Sequence, residues 1–457
     1  MATLLQGCNS LAYTNSPLDK TKPNTSLASF TLAKDRGQWG GSAQDKTLFV
    51  MALSGGGSRA AIWSAAAMLK MQTLYQDIDL LAEVDAISSI SGGSMAAAYY
   101  GVSADDAKDV QFNTPQGERP LWQAEEVKKR LSSNFLLSWF GNWFLPHNIL
   151  RFWFTAYDRT DIMAKTLANN LYDTHRGHDF NLGELNPDRP NIILNATISS
   201  GKNFSEGFSY TEEDFQKLLC SDINDYAVSR AVMGSASFPA AFNSMTLRNY
   251  RTNQTACDGE QNSKDKNFLH VIDGGSHDNL GLRSAIRFLK ENDQGYEKIA
   301  VILIDAYTPP VGLSEAKANP RSPFDYIIDT NFMDSVNALM DRNRNKVLDE
   351  MRRYLFKAET ERGKQIEFFH ATFESIHPDL LAQDKSTKLR DKIYKVRTSL
   401  KISPKDVEVI EEAVSQIFTP ENPCLQKIAR LISGKAMPRA DDMFHGTTCA
   451  WTDRSSR

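Results

Sequence analysis

Residues 88–101 read SSISGGSMAAAYYG, and this stretch predicts an abrupt turn from a strand into a helix. The apolar run Val84–Ile90 leads into it, and an alanine-rich run typical of a helix follows it. The five residues SISGG match the pattern G-x-S-x-G, which holds a serine on a sharp strand-to-helix turn, except that Ser89 replaces the first glycine. The pattern makes Ser91 a candidate nucleophile.

A second glycine-rich turn lies upstream, at Gly55-Gly56-Gly57-Ser58-Arg59. Three consecutive glycines cost backbone entropy, and their benefit is a set of exposed N–H groups that suits an anion at a helix N-terminus. In acyl transfer that anion is the tetrahedral oxyanion. The alternative is a turn whose glycines only let a strand and a helix pack closely. Neither turn has the G-x-x-x-x-G-K-[ST] or G-x-G-x-x-G pattern, so no nucleotide cofactor is expected.

A third chemistry-bearing stretch, VIDGGSHDNLGL, occupies residues 271–282. Asp273 ends an apolar run and precedes Gly274 and Gly275, the position of active-site carboxylates in α/β folds. A serine nucleophile needs a base, and Asp273 is placed to supply one directly. His270 and His277 lie within four residues of it, so a Ser-His-Asp triad stays open as the alternative.

The composition excludes several function classes. The chain has 457 residues, a net charge of −4 and no run of basic residues, which argues against nucleic-acid binding. No apolar stretch reaches about 18 residues, so no transmembrane helix is expected. The cysteine and histidine spacings fit no zinc site, and we expect no metal.

The order of apolar runs predicts the α/β class. Strand Thr47–Leu53, a helix from Ala60, strand Val84–Ile90 and the alanine-rich helix alternate, which favours a parallel sheet with right-handed crossovers. Further predicted elements are strands at Asn191–Thr197, Phe268–Ile272, Ile299–Ile304 and Glu367–Phe373, a long helix over 332–357, and two helices within 405–434 broken by Pro420 and Pro423.

The cysteines bear on localisation. Leu5-Gln6-Gly7-Cys8 is similar to a bacterial lipobox, whose cysteine is lipidated, although the basic and most of the apolar part of a signal peptide are missing. We therefore expect a membrane-anchored lipoprotein of the bacterial cell envelope, with a cytoplasmic protein as the alternative. The four remaining cysteines then predict two disulfides, and we favour the sequence-local pairs Cys220–Cys257 and Cys424–Cys449. In a reducing compartment they would be buried thiols.

Together, LSGGGSRA (53–60), SISGGS (89–94) and VIDGGSHDNLGL (271–282) resemble the patatin-like phospholipase family and, more distantly, the catalytic domain of cytosolic phospholipase A2. A fourth block, SRAVMGSASFPAAF (229–242), is similar to the stretch that precedes the aspartate strand in patatins. The resemblance covers roughly residues 47–310. It implies a layered α/β/α fold with a mostly parallel central sheet and helical insertions.

The resemblance also implies roles for residues. Ser91 would be the nucleophile and Asp273 its only partner, in a Ser–Asp dyad. The oxyanion hole would come from the glycine loop and the turn, and supporting residues would surround them. The oxyanion-hole candidates are Gly55, Gly56, Gly57 and Gly92, and the supporting candidates are Gly93, Gly274, Gly275 and Arg59, the last either structuring the loop or contacting a substrate phosphate. His277 takes a supporting role in this interpretation.

The chain divides into three parts on these grounds. Residues 1–46 are predicted to be a lipoprotein-like tether, 47–310 the catalytic domain with an aromatic-rich insertion around 105–180, and 311–457 a mainly helical extension packed on that domain.

Residues 135–154, FLLSWFGNWFLPHNILRFWF, stand out within the insertion. Thirteen of the twenty are Phe, Leu, Trp or Ile, and Arg151 is the only permanently charged residue. One interpretation is an insertion packed on the core, and the other is a lid or membrane-facing surface, since Trp and Phe favour the lipid interface. The candidate lipid contacts are Trp139, Phe140, Trp143, Phe144 and Trp153.

The function expected from these features is a serine acyl hydrolase acting on phospholipid or lysophospholipid, working beside a membrane surface. The alternatives are a soluble carboxylesterase or thioesterase of the same fold and a non-catalytic lipid-binding lipoprotein.

Overall fold

The computed structural model describes most of the chain with side chains. The described residues are 14–21, 25–32, 47–106, 119–173, 179–201, 203–239, 241–251, 257, 267–308, 331–376 and 383–434, with side chains from 342 and from 388 in the last two ranges. Cys8 and Cys449 lie outside these ranges, so their predicted lipidation and pairing stay predictions.

A large mixed sheet organises the described part of the chain. Eight strands join in it, in the order β10-β9-β2-β3-β4-β8-β7, with β5 also paired to β4, while β1 and β6 form a separate small ribbon. The strands are β1 (Ser16–Pro17), β2 (Thr47–Leu53), β3 (Ala86–Ile90), β4 (Asn191–Ile198), β5 (Gly207–Tyr210), β6 (Ser221–Asp222), β7 (Met245–Arg248), β8 (Phe268–Asp273), β9 (Lys298–Ile304) and β10 (Gln365–Ala371).

Helices cover both faces of this sheet. The α-helices are α1 (Gly57–Gln72), α2 (Gly92–Val102), α3 (Ala124–Leu131), α4 (Phe135–Trp143), α5 (Pro146–Phe154), α6 (Arg159–Leu167), α7 (Glu212–Asp214), α8 (Val228–Ala236), α9 (Leu282–Asn292), α10 (Asn331–Thr360), α11 (Gln383–Tyr394), α12 (Pro404–Ile417) and α13 (Pro423–Ser433). Short π-helical turns occur at Ala168–Tyr172 and Phe215–Leu219, and 3₁₀ turns at Leu182–Glu184, Gly274–Ser276 and Phe373–Ser375.

The alternation of side chains in the central strands explains the layering. In β2, Phe49 and Met51 enter the core that contains α1, α2, α12 and α13, whereas Leu48 and Val50 enter the core on the opposite face, with α9 and α10. All four side chains are fully buried. A strand that is apolar on both sides must be covered on both sides, which confirms the predicted α/β/α layers.

The sheet is parallel from β10 to β4, as predicted, but β8 runs antiparallel to β4. The antiparallel register pairs Ala196 with Asp273, while Asn195 pairs with Ile90. Asp273 therefore ends its strand level with the end of β3, next to Ser91. The short antiparallel strands β5 and β7 were not predicted at all.

The parts on either side of the predicted catalytic domain are built into it. Strand β10 pairs with β9 along its whole length and extends the sheet, so residue 310 is not the end of the sheet. Part of the predicted tether is also packed: Ala28 and Phe30 are fully buried. Among the described residues, no helix is long and apolar enough to cross a membrane.

A buried ionic cluster stabilises the edge of the sheet beside the glycine loop. Asp305, at the end of β9, accepts hydrogen bonds from Arg344 (2.5 Å) and from His370 (2.9 Å). Burial alone would raise the pKa of Asp305, but the hydrogen bonds and charges of His370 and Arg344 outweigh it and hold that pKa well below its ordinary value. These contacts connect α10, through Arg344, and β10, through His370, to the end of β9, the strand that pairs with β2.

Replacing Asp305 by asparagine is expected to lower the free energy of unfolding by about 3–5 kcal/mol, because Arg344 would lose its buried counter-charge. The matched control is Asp349→Asn, which breaks an exposed pair with Arg352 and is expected to cost under about 1 kcal/mol. Urea unfolding of both variants at neutral pH measures the difference. Equal losses would show that the cluster does not hold this edge.

Candidate active site

Ser91 sits on a strained turn. It is the residue before α2, with φ of 50° and ψ of −116°, a backbone conformation that costs a non-glycine residue on the order of 1–3 kcal/mol. Strand β3 ends at Ile90 and α2 begins at Gly92, so the direction of the chain changes within one residue. This is the geometry that the pattern SISGG predicts.

A chain of serine hydroxyls lies under this turn. The Ser91 N–H donates to Ser235 Oγ (2.9 Å), and Ser235 in turn donates to the carbonyl of Asn195 (2.6 Å). Ser94 Oγ lies 2.9 Å from Ser235 Oγ and 3.0 Å from Ser89 Oγ. Ser89, which replaces the glycine of the pattern, is thus fully buried and part of the support of the turn.

Ser235 and Asn195 were missed by the sequence analysis. Ser235 lies on α8, inside the SRAVMGSASFPAAF block that resembles the patatin stretch before the aspartate strand. That resemblance was the signal available for Ser235. Asn195 lies mid-strand in β4, where nothing in the sequence distinguishes it from a polar residue on the surface.

Asp273 meets Ser91 at the end of β8. Its carboxylate is buried, accepts the Gly275 N–H (2.8 Å) and lies near enough to the Ser91 side chain to be stabilised by it. Burial raises the pKa of Asp273 to about 6, although the Gly275 N–H and the Ser91 side chain act in the opposite direction. A carboxylate with this pKa is ionised at neutral pH and is still basic enough to take a proton.

The glycine loop, residues 55–57, presents two free amides. Gly56 and Gly57 have φ values of 143° and 60°, which favour glycine. No acceptor among the described residues takes either of their N–H groups. Gly55 differs, because its N–H donates to the carbonyl of Asn279 (2.9 Å). Gly55 is therefore corrected from oxyanion donor to anchor of the loop.

The three loops are in direct contact through glycines. A Cβ added to Gly92 would lie 2.0 Å from the carbonyl oxygen of Gly57, and one on Gly93 would lie 2.7 Å from that of Leu53. A Cβ on Gly274 would lie 2.5 Å from the carbonyl oxygen of Asn195. Larger residues at these positions would separate the turn, the glycine loop and the aspartate.

Arg59 holds the glycine loop from behind. It is buried, and its Nη1 donates to the carbonyl of Val396 (2.7 Å) in the C-terminal region. Burial lowers the pKa of Arg59 to about 10, and the charge of Asp305 partly opposes this. The neighbouring Ser58 N–H donates to the carbonyl of Ser399 (2.7 Å), which is a second contact between the glycine loop and the C-terminal region. These contacts favour the structural role over a contact with a substrate phosphate.

Neither neighbouring histidine reaches the serine. His277 Nδ1 lies 2.9 Å from the carbonyl oxygen of Ser205, and its ring packs beside Gly207 in β5. His270 Nδ1 lies 2.8 Å from Thr246 Oγ1, on the side of β7. The geometry joins Ser91 to Asp273 without an intervening imidazole.

The aromatic stretch forms a helical hairpin, α4 and α5, with an exposed apolar surface. Residues on this surface are 53–74% exposed: Leu137, Phe140, Phe144, Leu150, Trp153 and Phe154. Trp139 is corrected from lipid contact to anchor, because it is half-buried, donates to the carbonyl of Arg159 (3.0 Å) and packs on Phe242. Trp143 is half-buried between Trp139 and Phe152.

A cleft of about 1040 Å³ lies between this hairpin and α6 and α8. The hairpin contributes polar side chains to its lining, among them Ser138, Asn142 and Asn148. Neither Ser91 nor Asp273 lines this cleft. The hairpin thus directs polar side chains into the cleft and one set of apolar side chains outward, while Phe135 and Trp139 pack against the protein.

One predicted disulfide is present. Cys220 and Cys257 are bonded, with Cα atoms 6.1 Å apart. Cys424 is also disulfide-bonded, and its predicted partner Cys449 lies beyond the described ranges.

Comparison with known families agrees with this geometry. The model of the patatin-like phospholipase family matches residues 51–286, which include Ser91, Asp273 and the glycine loop. The match covers more than half of the chain, and the chain belongs to this family. Family membership supports a lipid acyl hydrolase activity.

Solved structures give more distant likenesses. Human GIVD cytosolic phospholipase A2 in complex with methyl gamma-linolenyl fluorophosphonate and terbium chloride matches with 11% identity and a TM-score of 0.44 over 86% of this chain and 60% of that one. Another structure of the same human enzyme matches with 14% identity and a TM-score of 0.35, over 62% of this chain and 47% of that one. VipD from Legionella pneumophila matches with 15% identity and a TM-score of 0.25, over 65% of this chain and 57% of that one. The chain thus spans about half of the length of these relatives. A search among curated proteins found no match.

Capture of Ser91 by a fluorophosphonate is expected to rise with pH through a midpoint near 6, because the Asp273 carboxyl takes the serine proton only when it is ionised. The capture rate would increase roughly tenfold between pH 5 and pH 7. Labelling reactions quenched at a series of times give the capture rate at each pH, and circular dichroism at each pH confirms that the protein stays folded. A flat profile over this range would rule out Asp273 as the titrating base.

Proposed function

We propose that this protein is a serine acyl hydrolase that cleaves fatty-acyl esters of phospholipids or lysophospholipids through a dyad of Ser91 and Asp273. The observation that carries the proposal is the contact between the strained Ser91 and the buried Asp273 carboxylate, beside the free Gly56 and Gly57 amides. Family membership supports the choice of a lipid ester as substrate.

In the first half of the reaction, Ser91 Oγ bonds to the acyl carbonyl carbon while its proton passes to the Asp273 carboxylate. The carbonyl oxygen becomes an oxyanion, which accepts hydrogen bonds from the Gly56 and Gly57 amides, with the Gly92 amide at the start of α2 as a further candidate donor. When the bond between the acyl carbon and the alcohol oxygen breaks, that oxygen takes the proton from Asp273. The products are the free alcohol or lysolipid and an acyl ester on Ser91.

In the second half, water replaces the alcohol. Asp273 accepts a proton from the water molecule as the water oxygen bonds to the acyl carbon. Asp273 then donates this proton to Ser91 Oγ as the fatty acid leaves. A single carboxylate serves both halves because it is ionised at the start of each one.

We further propose that the hairpin α4–α5 binds the lipid surface on which the enzyme works. Its exposed Phe and Trp side chains suit the interface, and polar side chains such as Asn142 and Asn148 line the cleft on its inner side. An insertion packed on the core would bury these side chains instead. Trp139 and the bond from Asn142 to Thr166 (2.8 Å) fix the hairpin to α6.

An extracytoplasmic location agrees with this proposal. The Cys220–Cys257 disulfide supports an oxidising compartment. Lipidation of Cys8 would add an anchor at the same membrane, and it remains a prediction from the sequence.

The dyad is tested by three variants. Ser91→Ala and Asp273→Asn are each expected to lower kcat on a lysophospholipid by about 10³-fold or more, since both are needed to form the acyl ester. His277→Ala is expected to stay within a few-fold of the wild type, because its ring bonds to the Ser205 carbonyl. The measurement is release of fatty acid, with fluorophosphonate labelling in parallel.

The opposite result, in which His277→Ala is inactive and Asp273→Asn is active, would replace the dyad by a triad. Labelling of wild type without lipid hydrolysis, but with hydrolysis of short esters or thioesters, would identify a soluble esterase. No labelling at all would favour the non-catalytic lipid binder.

The hairpin is tested by the double variant Phe144→Ser and Trp153→Ser. Both side chains are more than 70% exposed, so the fold should persist while binding to phospholipid vesicles falls at least about tenfold through lost apolar contact. The matched control is Phe356→Ser, which removes a 49% exposed phenylalanine from α10. Vesicle sedimentation measures binding, and hydrolysis of a dissolved short-chain ester should stay unchanged. Equal vesicle binding by all three proteins would contradict the membrane role.

A further inference from the structure

Asn279 lies beside the candidate nucleophile. It belongs to the loop between the Asp273 turn and α9, and its carbonyl oxygen accepts the Gly55 N–H (2.9 Å). This backbone bond places residue 279 against the start of the glycine loop. The contact links the aspartate loop to the loop that presents the free amides.

The side chains of Asn279 and Ser91 both lie close to Gly55. A Cβ built on Gly55 would lie 2.3 Å from Asn279 Oδ1 and 3.3 Å from Ser91 Cβ. The side chains of Asn279 and Ser91 therefore lie next to each other beside Gly55, the first residue of the glycine loop. Gly55 has to be a glycine because the carboxamide takes the position of its side chain.

The Asn279 carboxamide forms none of the hydrogen bonds that hold this loop. Its neighbour Asp278 is buried and accepts the N–H groups of Leu280 (2.8 Å), Gly281 (3.1 Å) and Arg283 (2.7 Å). Those three bonds cap α9 and fix the turn. Within the described residues the Asn279 carboxamide has no hydrogen bond, and the residue is only half-buried. It is therefore a hydrogen-bond donor without an acceptor among the described residues.

We propose that Asn279 is a catalytic residue, a third donor to the oxyanion beside the Gly56 and Gly57 amides. The inference rests on the proposed hydrolase function. The Asn279 Nδ2–H donates to the carbonyl oxygen of the substrate, and the bond strengthens as that oxygen gains charge. The backbone contact with Gly55 and the cap formed by Asp278 fix the backbone of residue 279 before substrate arrives, so only the side chain has to be ordered during the reaction.

The test compares Asn279→Ala and Asn279→Asp with wild type on p-nitrophenyl decanoate and on the thioester of the same acyl chain. The aspartate variant keeps the shape of the side chain but cannot donate when ionised. Both variants are expected to lose about 10²-fold in kcat on both substrates at pH 8, with KM little changed, because an oxyanion forms from either one. The thermal unfolding midpoint should stay near that of wild type.

The matched control is Asn343→Ala, which removes a half-buried carboxamide that donates to the carbonyl of His277 in the same loop. This variant is expected to keep kcat within a few-fold of wild type, and a comparable loss in it would assign the effect of residue 279 to loop structure and overturn the inference.

Three other results would also overturn it. Unchanged kcat in the aspartate variant would show that no donor is needed, and a rise in KM alone would show simple binding. Loss on the oxygen ester but not on the thioester would place the bond at the leaving-group oxygen. In each of these cases the wild type hydrolyses the decanoyl substrates and its Ser91 is labelled, so the proposed serine acyl hydrolase activity stands. A wild type inactive on both substrates would reject the proposed function and this inference together.

Discussion

The strained backbone of Ser91 is the constraint on which the site depends. A serine with φ of 50° is held there because everything around it is fixed: the Ser235 hydroxyl takes its N–H, and Gly92 touches the glycine loop. Such strain persists only where surrounding contacts over-determine the conformation. The result is a half-buried serine side chain at the point where strand, helix and glycine loop meet.

The sheet brings the base to this serine by an unexpected route. In an all-parallel sheet, catalytic side chains follow the carboxyl ends of strands that all point the same way. Here β8 approaches from the opposite direction and stops level with β3, so Asp273 reaches Ser91 from the antiparallel side. The raised pKa of the buried Asp273 is a consequence of this placement, because the end of the strand is covered by the loops that it joins.

Much of this site was predictable from local sequence patterns. Ser91 and Asp273 follow from motifs in which glycines mark sharp turns, and β2 follows from an apolar run that matches its observed bounds. The direction of β8 was not predictable, since an apolar strand reads the same in either orientation. The four-residue strands β5 and β7 are too short to give a periodic signal. Gly55 was assigned wrongly because its partner, the Asn279 carbonyl, is more than 200 residues away.

The hydroxyl network under the turn illustrates a different limit. Ser89, Ser94 and Ser235 are ordinary serines in the sequence, and only their convergence beneath Ser91 gives them a role. A small polar residue mid-helix is more often a surface residue than a support. Its function depends on which helix crosses below, and this is a property of the tertiary structure.

The contacts of Ser58 and Arg59 with Ser399 and Val396 have a consequence for the modularity of the chain. The family match ends at residue 286, yet carbonyls more than 100 residues further on hold the residues that follow the glycine loop. A fragment limited to the family match would carry every signature residue but would lack β9, so it would leave one edge of β2 unpaired and the glycine loop without this support. In this protein the catalytic motifs and the region that gives them their shape have to be inherited as one unit.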